Sequence, residues 1–370
     1  MLICFVPFLA AALAALWWPS DALAQTSCQP PGVPFSYDIS GRITDESSRP
    51  LEGVTVYSSS GRILPLATTG ADGGWRATIS DCTLSPPRCG TGFNFRFAPV
   101  KQGYFFVPTS GEICPGSVVN FVARSAPFLS VSAASYKESL APGAITAAFA
   151  SVGSALASRT ESATGLPLPE SLAGTTVSIT SFFGFSPNTR MARLYYVSPN
   201  QVNYYLPPET SEGPAEIAIQ TANGLTLRSS VLITRIAPAL FSANSSGQGV
   251  AAAVALRVKP DDSSSYEPVA AFNPAQSRFE PVPVDLGPDT DRLFLALFGT
   301  GIRNRKSLSD VTAKVGGADA QVVYAGPQNQ FDGLDQVNIL LPHSLSGRGE
   351  VDVVLTVEGQ AANIVRIDIR

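Results

Sequence analysis

The heptapeptide Gln201-Val-Asn-Tyr-Tyr-Leu-Pro207 returns as Gln336-Val-Asn-Ile-Leu-Leu-Pro342, and this recurrence constrains the fold more than any other feature of the chain. The surroundings recur with it. An aromatic-rich strand pattern precedes each copy (Leu194 to Val197; Val322 to Ala325), and a Gly-opened apolar pattern follows each (Gly213 to Ile219; Gly349 to Leu355). A repeat of roughly 135 residues is too long for a solenoid unit and suits two tandem copies of one all-β domain. Within the first copy Val202, Tyr204 and Leu206 alternate with Gln201, Asn203 and Tyr205; in the second, Val337, Ile339 and Leu341 alternate with Gln336 and Asn338. That period of two belongs to a strand with one buried face. The proline closing each copy has no amide hydrogen with which to continue a ladder. The Gln and Asn amides are expected to hydrogen-bond neighbouring loop backbone, ligand binding being the other use of such a pair.

A chain of 370 residues suffices for two or three domains, each with its own core. Charged residues make up 15% and hydrophobic residues 45%, with 31 Gly and 30 Pro, which suits many short strands joined by turns. The formal net charge of −4 offers no basic footprint for nucleic acid or an anionic membrane. At the N-terminus an apolar run from Leu2 to Trp18, then Pro19 and Ala22-Leu-Ala24, has the pattern of a secretory signal (residues 1–24) cleaved after Ala24; an uncleaved anchor is the alternative. No second long apolar run follows, so the mature chain is expected to be soluble, without a membrane span.

Cys4 leaves with that signal. The remaining Cys28, Cys82, Cys89 and Cys114 all fall in the first third of the chain, and four cysteines in one exported domain predict two disulfides. Of the three connectivities, Cys82 with Cys89 and Cys28 with Cys114 is favoured, because one staples the Pro86-Pro87 loop and the other ties the domain's ends. A zinc site is the rival, although thiolate sites usually place two ligands only two to four residues apart.

Strand patterns begin at Tyr37 to Thr44 and Pro50 to Tyr57. The turn Thr69-Gly-Ala-Asp-Gly-Gly then leads into Trp75, Ala77 and Ile79 on one face, and further strands are expected at Gly103 to Pro108 and Val118 to Val122. Together Ser40-Gly-Arg-Ile-Thr-Asp, Pro50-Leu-Glu-Gly-Val-Thr-Val and Asp72-Gly-Gly-Trp-Arg-Ala resemble the carboxypeptidase regulatory-like domain over roughly residues 35–125. The resemblance implies a transthyretin-like β-sandwich with a non-catalytic role. The Cys-bearing insert from Ser80 to Gly90 departs from that family's usual short turn.

The two repeats, residues 129–241 and 245–370, look like the tandem C-terminal module of exported acidobacterial proteins of the Solibacter type, and more distantly like immunoglobulin-like IPT/TIG domains. The residues that carry this are Ala134-Ser-Tyr with Ala141-Pro-Gly, Tyr196-Val-Ser-Pro-Asn-Gln-Val-Asn, Phe298-Gly-Thr-Gly, Val315-Gly-Gly and Gly333-Leu-Asp-Gln-Val-Asn. The resemblance implies architecture and export rather than chemistry. By equivalence with Leu293 to Phe298, the Ala-rich stretch from Ala144 to Ser158 is read as a strand despite its helix propensity. A hairpin is expected from Val250 to Val258 and Tyr266 to Ala271, and polar Ser242 to Gln248 forms a candidate junction.

Catalytic constellations are not found in the sequence. His343 is the one histidine, and neither a nucleophile elbow, a P-loop nor a dinucleotide-binding fingerprint accompanies it. Asp285, Asp289 and Asp291 share a loop but match no EF-hand spacing, and no cofactor or metal is expected. The remaining candidates for a surface are aromatic: Phe182 and Phe183 on a loop, and Tyr195 and Tyr205 from consecutive strand pairs, rings suited to carbohydrate stacking or protein contact unless a neighbouring domain covers them. The expectation is a non-enzymatic, secreted or surface-exposed protein that presents or spaces an interaction surface for a protein or glycan partner. A carbohydrate-binding or carbohydrate-active protein is the alternative.

Overall fold

The computed structural model describes residues 35–58, 64–81, 96–182 and 186–370. Among them the regular structure is β-strand, apart from two 3-10 turns, Leu308–Asp310 and His343–Leu345. The buried side chains gather into three principal cores.

In the first body the strand Gly74–Asp81 buries Trp75 and Ala77 and exposes Arg76 and Thr78, as its period-two pattern demands. It joins Phe35–Asp45, Phe121–Ser125 and Tyr104–Val107 in a four-stranded sheet; Leu64–Thr68, Thr55–Ser58, Arg96–Val100 and Gly111–Glu112 make the second. Ile39, Ile43 and Phe121 from one sheet share a core with Val56 and Phe97 from the other. There the Trp75 ring lies 5.2 Å from Phe97, and Phe121 stands edge-on to Phe97 at 6.0 Å. Such pairs contribute about 0.5–1.5 kcal/mol beyond the area they bury. Asp72 shapes the turn into Gly74–Asp81 by accepting from the Gly74 amide at 2.9 Å, with Gly73 at φ +73°. Cys82 and Cys89 lie outside the described residues, as do Cys28 and residues 1–24, so the expected signal and both disulfide pairings do too. Cys114 is buried.

The recurrence seen in the sequence is a recurrence of strand register. Gln201–Tyr205 lies between Ile145–Ala150 and Arg193–Val197, with Phe149 opposite Gln201 and Ala147 opposite Asn203. Asp335–Leu340 lies between Arg292–Thr300 and Ala318–Pro327, with Phe298 opposite Gln336 and Ala296 opposite Asn338. Even the irregularity repeats, since the register shifts between Leu194 and Tyr196 in one copy and between Val322 and Tyr324 in the other. In each copy the apolar alternates fill the core: Val202, Tyr204 and Leu206 in the first, Val337, Ile339 and Leu341 in the second. Tyr204 is fully buried and donates to Ser130 Oγ at 3.1 Å, which offsets the cost of taking its hydroxyl out of water.

The Ala-rich stretch contains the strand Ile145–Ala150. Its alanines answer to space on both sides of the sheet, because Ala148 faces the core while Ala147, on the opposite face, is buried as well. The repeats differ in closure. Two five-stranded sheets enclose the first core, whereas in the second repeat the ten-residue strand Ala318–Pro327 pairs with Val311–Val315 at its start and Asp335–Leu340 at its end, joining both layers into one ten-stranded sheet. A hairpin forms from Ala253–Val258 and Ser264–Pro268, its second strand starting and ending earlier than the expected Tyr266 to Ala271, because Ala270 and Ala271 pair instead in a following hairpin, Ala270–Asn273 with Arg278–Pro281.

Between the repeats, Ile233 belongs to the middle core while Ile236 and Leu240 belong to the last. Residues 242–248 are a tied turn. Ser242 Oγ accepts from the amides of Ser246 and Gly247, and Asn363, 123 residues from Leu240, bonds Leu240 and Gly247 through both ends of its amide.

Candidate functional site

The outer face of the first repeat carries Gln201, Asn203 and Tyr205 beside Ile145 and Ala147, and against it stands one end of the second repeat. Which loops stand there is decided by Asp335. Its buried carboxylate accepts from the amides of Ile302 and Arg303 at 2.7 and 3.2 Å and from Arg303 Nε at 2.8 Å, while Arg303 Nη2 donates to Leu334 O at 2.9 Å. Burial pushes the carboxyl above the usual aspartate range, against the opposing pull of Arg303. The loop after Thr300 and the loop before Asp335 are thereby locked to each other.

Those loops meet the first repeat in a seam of specific contacts. Thr300 Oγ1 accepts from the Ile145 amide and donates to Gly333 O, both at 2.8 Å. Tyr195 donates to Asp332 O at 2.5 Å, Arg193 lies 3.4 Å from the Asp332 carboxylate, and Tyr136 donates to Ser245 O at 2.5 Å. On the other flank Asn304 Nδ2 donates to Pro142 O at 2.8 Å. Arg235 pairs with Glu358 through both guanidinium ends and donates to Asn304 O at 2.9 Å. Its guanidinium holds the Glu358 carboxyl down to about 2. Small residues bring the backbones together: Ala141, Ala144 and Ala237 form a cluster of their own. At Gly333, with φ +80°, a Cβ would meet Ile145 Cγ1 at 2.7 Å and Tyr205 Cδ2 at 3.0 Å.

Beside this seam lies a cleft of about 360 Å³. The first repeat contributes Tyr136, Tyr195, Gln201 and Asn203, the second Phe331, and the segment joining them Phe241, whose amide donates to Phe298 O. Among the described residues no acidic or basic side chain lines the cleft. Gln201 Nε2 donates to Asn203 Oδ1 at 2.7 Å, and Gln336 makes the same 2.7 Å bond to Asn338. The amides therefore bond each other rather than the loop backbone expected from sequence, because residues two apart on one strand face point the same way and the longer Gln reaches its neighbour.

Of the aromatic candidates, Phe182 is buried, Phe183 lies outside the described residues, and Tyr195 and Tyr205 are drawn into the seam, Tyr205 being only 9% exposed. Tyr136, Phe241 and Phe331 were not singled out by sequence reasoning. Phe331 sits five residues before the recurring heptapeptide that begins at Gln336, which was the available signal. Elsewhere the acidic loop turns to arginines, Asp285 to Arg370 and Asp291 to Arg257, while His343 Nε2 lies 3.0 Å from the Asp291 carbonyl oxygen. A second junction joins the first body to the middle one, where Ser230 donates to Tyr104 O at 2.9 Å.

No family model and no curated protein matches the chain. Among solved structures it is similar to SGBP-B of the Bacteroides ovatus mixed-linkage glucan utilization locus, in complex with a mixed-linkage heptasaccharide (TM-score 0.26, 13% identity, 86% of this chain). It spans 60% of that protein's length. It is also similar to BcpA, the major pilin subunit of Bacillus cereus (TM-score 0.18, 8% identity, 84% of this chain and 96% of that one).

Proposed function

We propose that this is an exported, non-enzymatic β-sandwich protein that holds an interaction surface in fixed geometry outside the cell or at its surface. The observation that carries the reading is the seam between the repeats. A flexible tether between two sandwiches needs no side-chain bonds across it, whereas here six residues of one repeat, Tyr136, Pro142, Ile145, Arg193, Tyr195 and Arg235, are bonded to the other. Each such bond contributes about 0.5–1.5 kcal/mol net, and several acting together favour one relative orientation.

The titratable groups support the same reading. A catalytic acid or base needs a free coordination position facing a substrate. Asp335 is occupied by three N–H donors, Glu216 by Arg228, and Asp291 by Arg257. The resemblance of the first body to carboxypeptidase regulatory-like domains, which accompany exported proteins, is consistent with an accessory role. Small-angle scattering on the secreted protein tests the geometry: a single rigid envelope is expected for residues 129–370, and a distribution of inter-repeat distances refutes it. Incubation with peptide, ester and polysaccharide substrates tests the absence of catalysis, and reproducible turnover of any of them overturns it.

A further inference from the structure

We propose that the cleft between the repeats is a binding site for a neutral oligosaccharide. The proposal names the ligand of the interaction surface described above and rests on that reading. The lining is two-sided in chemistry. Tyr136 and Phe331 line the cleft and keep 38% and 53% of their surface exposed, while the Tyr136 ring also packs on Phe149 at 5.9 Å. Beneath them the Gln201 and Asn203 amides, joined by one mutual bond, keep the Gln201 Oε1 acceptor and the Asn203 Nδ2 donors for other partners. A pyranose ring offers the matching pair of features: a C–H face that stacks on an aromatic ring, and hydroxyls that donate to one amide oxygen while accepting from a neighbouring amide nitrogen. With no acidic or basic side chain among the described residues of the lining, the cleft offers no counter-charge there for a uronic acid, a sulfated sugar or an amino sugar.

Backbone geometry adds to this. Tyr136 is held at φ +58°, a conformation disfavoured for a tyrosine, by its amide bond to Ser132 O and its hydroxyl bond to Ser245 O. The strained residue is the one whose ring stands beside the cleft. An extended peptide is the less suitable occupant. The floor strand Gln201–Tyr205 is paired on both sides, by Ile145–Ala150 and Arg193–Val197, so it has no free edge to which a peptide strand could add. The recurring pair Gln336 and Asn338 supplies an internal control, because it makes the same bond on the same register yet does not line the cleft.

The test uses the full secreted chain on an array of neutral hexose and pentose oligosaccharides, followed by calorimetric titration with the oligosaccharide that binds. Phe331→Ala and Asn203→Ala are each expected to weaken binding at least about tenfold. Asn338→Ala is expected to leave it unchanged, with thermal unfolding confirming that all three variants are folded. Absence of binding by every neutral oligosaccharide at millimolar concentration, binding that survives both cleft substitutions, or capture of proline-rich peptides in place of sugars overturns the assignment. Hydrolysis of a bound oligosaccharide refutes the non-enzymatic reading while leaving the site in place. A rigid, inert chain that binds no sugar refutes the site alone.

Discussion

Replacing Gly333 with alanine isolates the seam. The glycine has φ +80°, and the added methyl would stand 2.7 Å from Ile145 Cγ1, 3.0 Å from Tyr205 Cδ2 and 3.2 Å from the Ile145 amide nitrogen, all across the boundary between repeats. Two costs are superposed. Holding an L-residue in the left-handed region costs about 1–2 kcal/mol, and overpacking a closed contact adds about 1–3 kcal/mol. Gly347→Ala provides the reference, since Gly347 lies in the same repeat at φ +76° with nothing within 4 Å of the new Cβ. That variant should carry the backbone cost alone. In Gly333→Ala the repeats can part to relieve the overlap, so the extra penalty should register as opening of the seam rather than unfolding of either core. The assays are denaturant unfolding, scattering and timed trypsin digestion. Gly347→Ala should keep the parent envelope, whereas Gly333→Ala should broaden it and expose the bond after Arg235, whose guanidinium is otherwise tied to Glu358. The reasoning is refuted if Gly333→Ala matches Gly347→Ala in stability, envelope and cleavage rate.

Three further outcomes are expected. The Glu358 carboxyl is lowered from 4.5 to about 2 by Arg235, so its contribution to the seam is present above pH 4.5 and lost as pH falls toward about 2; scattering across that window should show the repeats loosening, and Glu358→Gln should remove the part of that response below pH 4.5 that Glu358 contributes, leaving the part due to Asp335. Asp335→Ala strands the Arg303 guanidinium and the Ile302 and Arg303 amides in a buried site, so denaturant unfolding should show a loss of about 3–5 kcal/mol, and a loss below about 1 kcal/mol would contradict the role given to it. Non-reducing peptide mapping of the protein isolated under oxidising conditions should link Cys82 to Cys89 and Cys28 to Cys114, with chain-entropy contributions of about 2.5 and about 4.6 kcal/mol; four free thiols would exclude the framework.

The Gln-Val-Asn heptapeptides and their alternation sufficed to identify a repeated strand and its buried face, because period two is a local consequence of the pleat and needs no knowledge of the partner strand. Equating the Ala-rich stretch with Leu293 to Phe298 located its strand for the same reason, and the registers agree, Phe149 facing Gln201 as Phe298 faces Gln336. Local pattern stops at the opposite face of the strand. Alternation placed Tyr205 away from the core, but whether water, a sugar or another sandwich would meet it depended on where the second repeat docks, and the docking brought Gly333 against its ring. Tyr136, Phe241 and Phe331 are far apart in sequence, and no spacing rule links them. They line one cleft because Asp335 locks two loops that the seam then presses onto the first repeat. The pairing of Arg235 with Glu358, 123 residues apart, was likewise beyond reach of the sequence. A strand's own periodicity is encoded within a few residues, whereas a contact between faces is selected by the shape and charge of both partners at once, and only the folded chain brings those together.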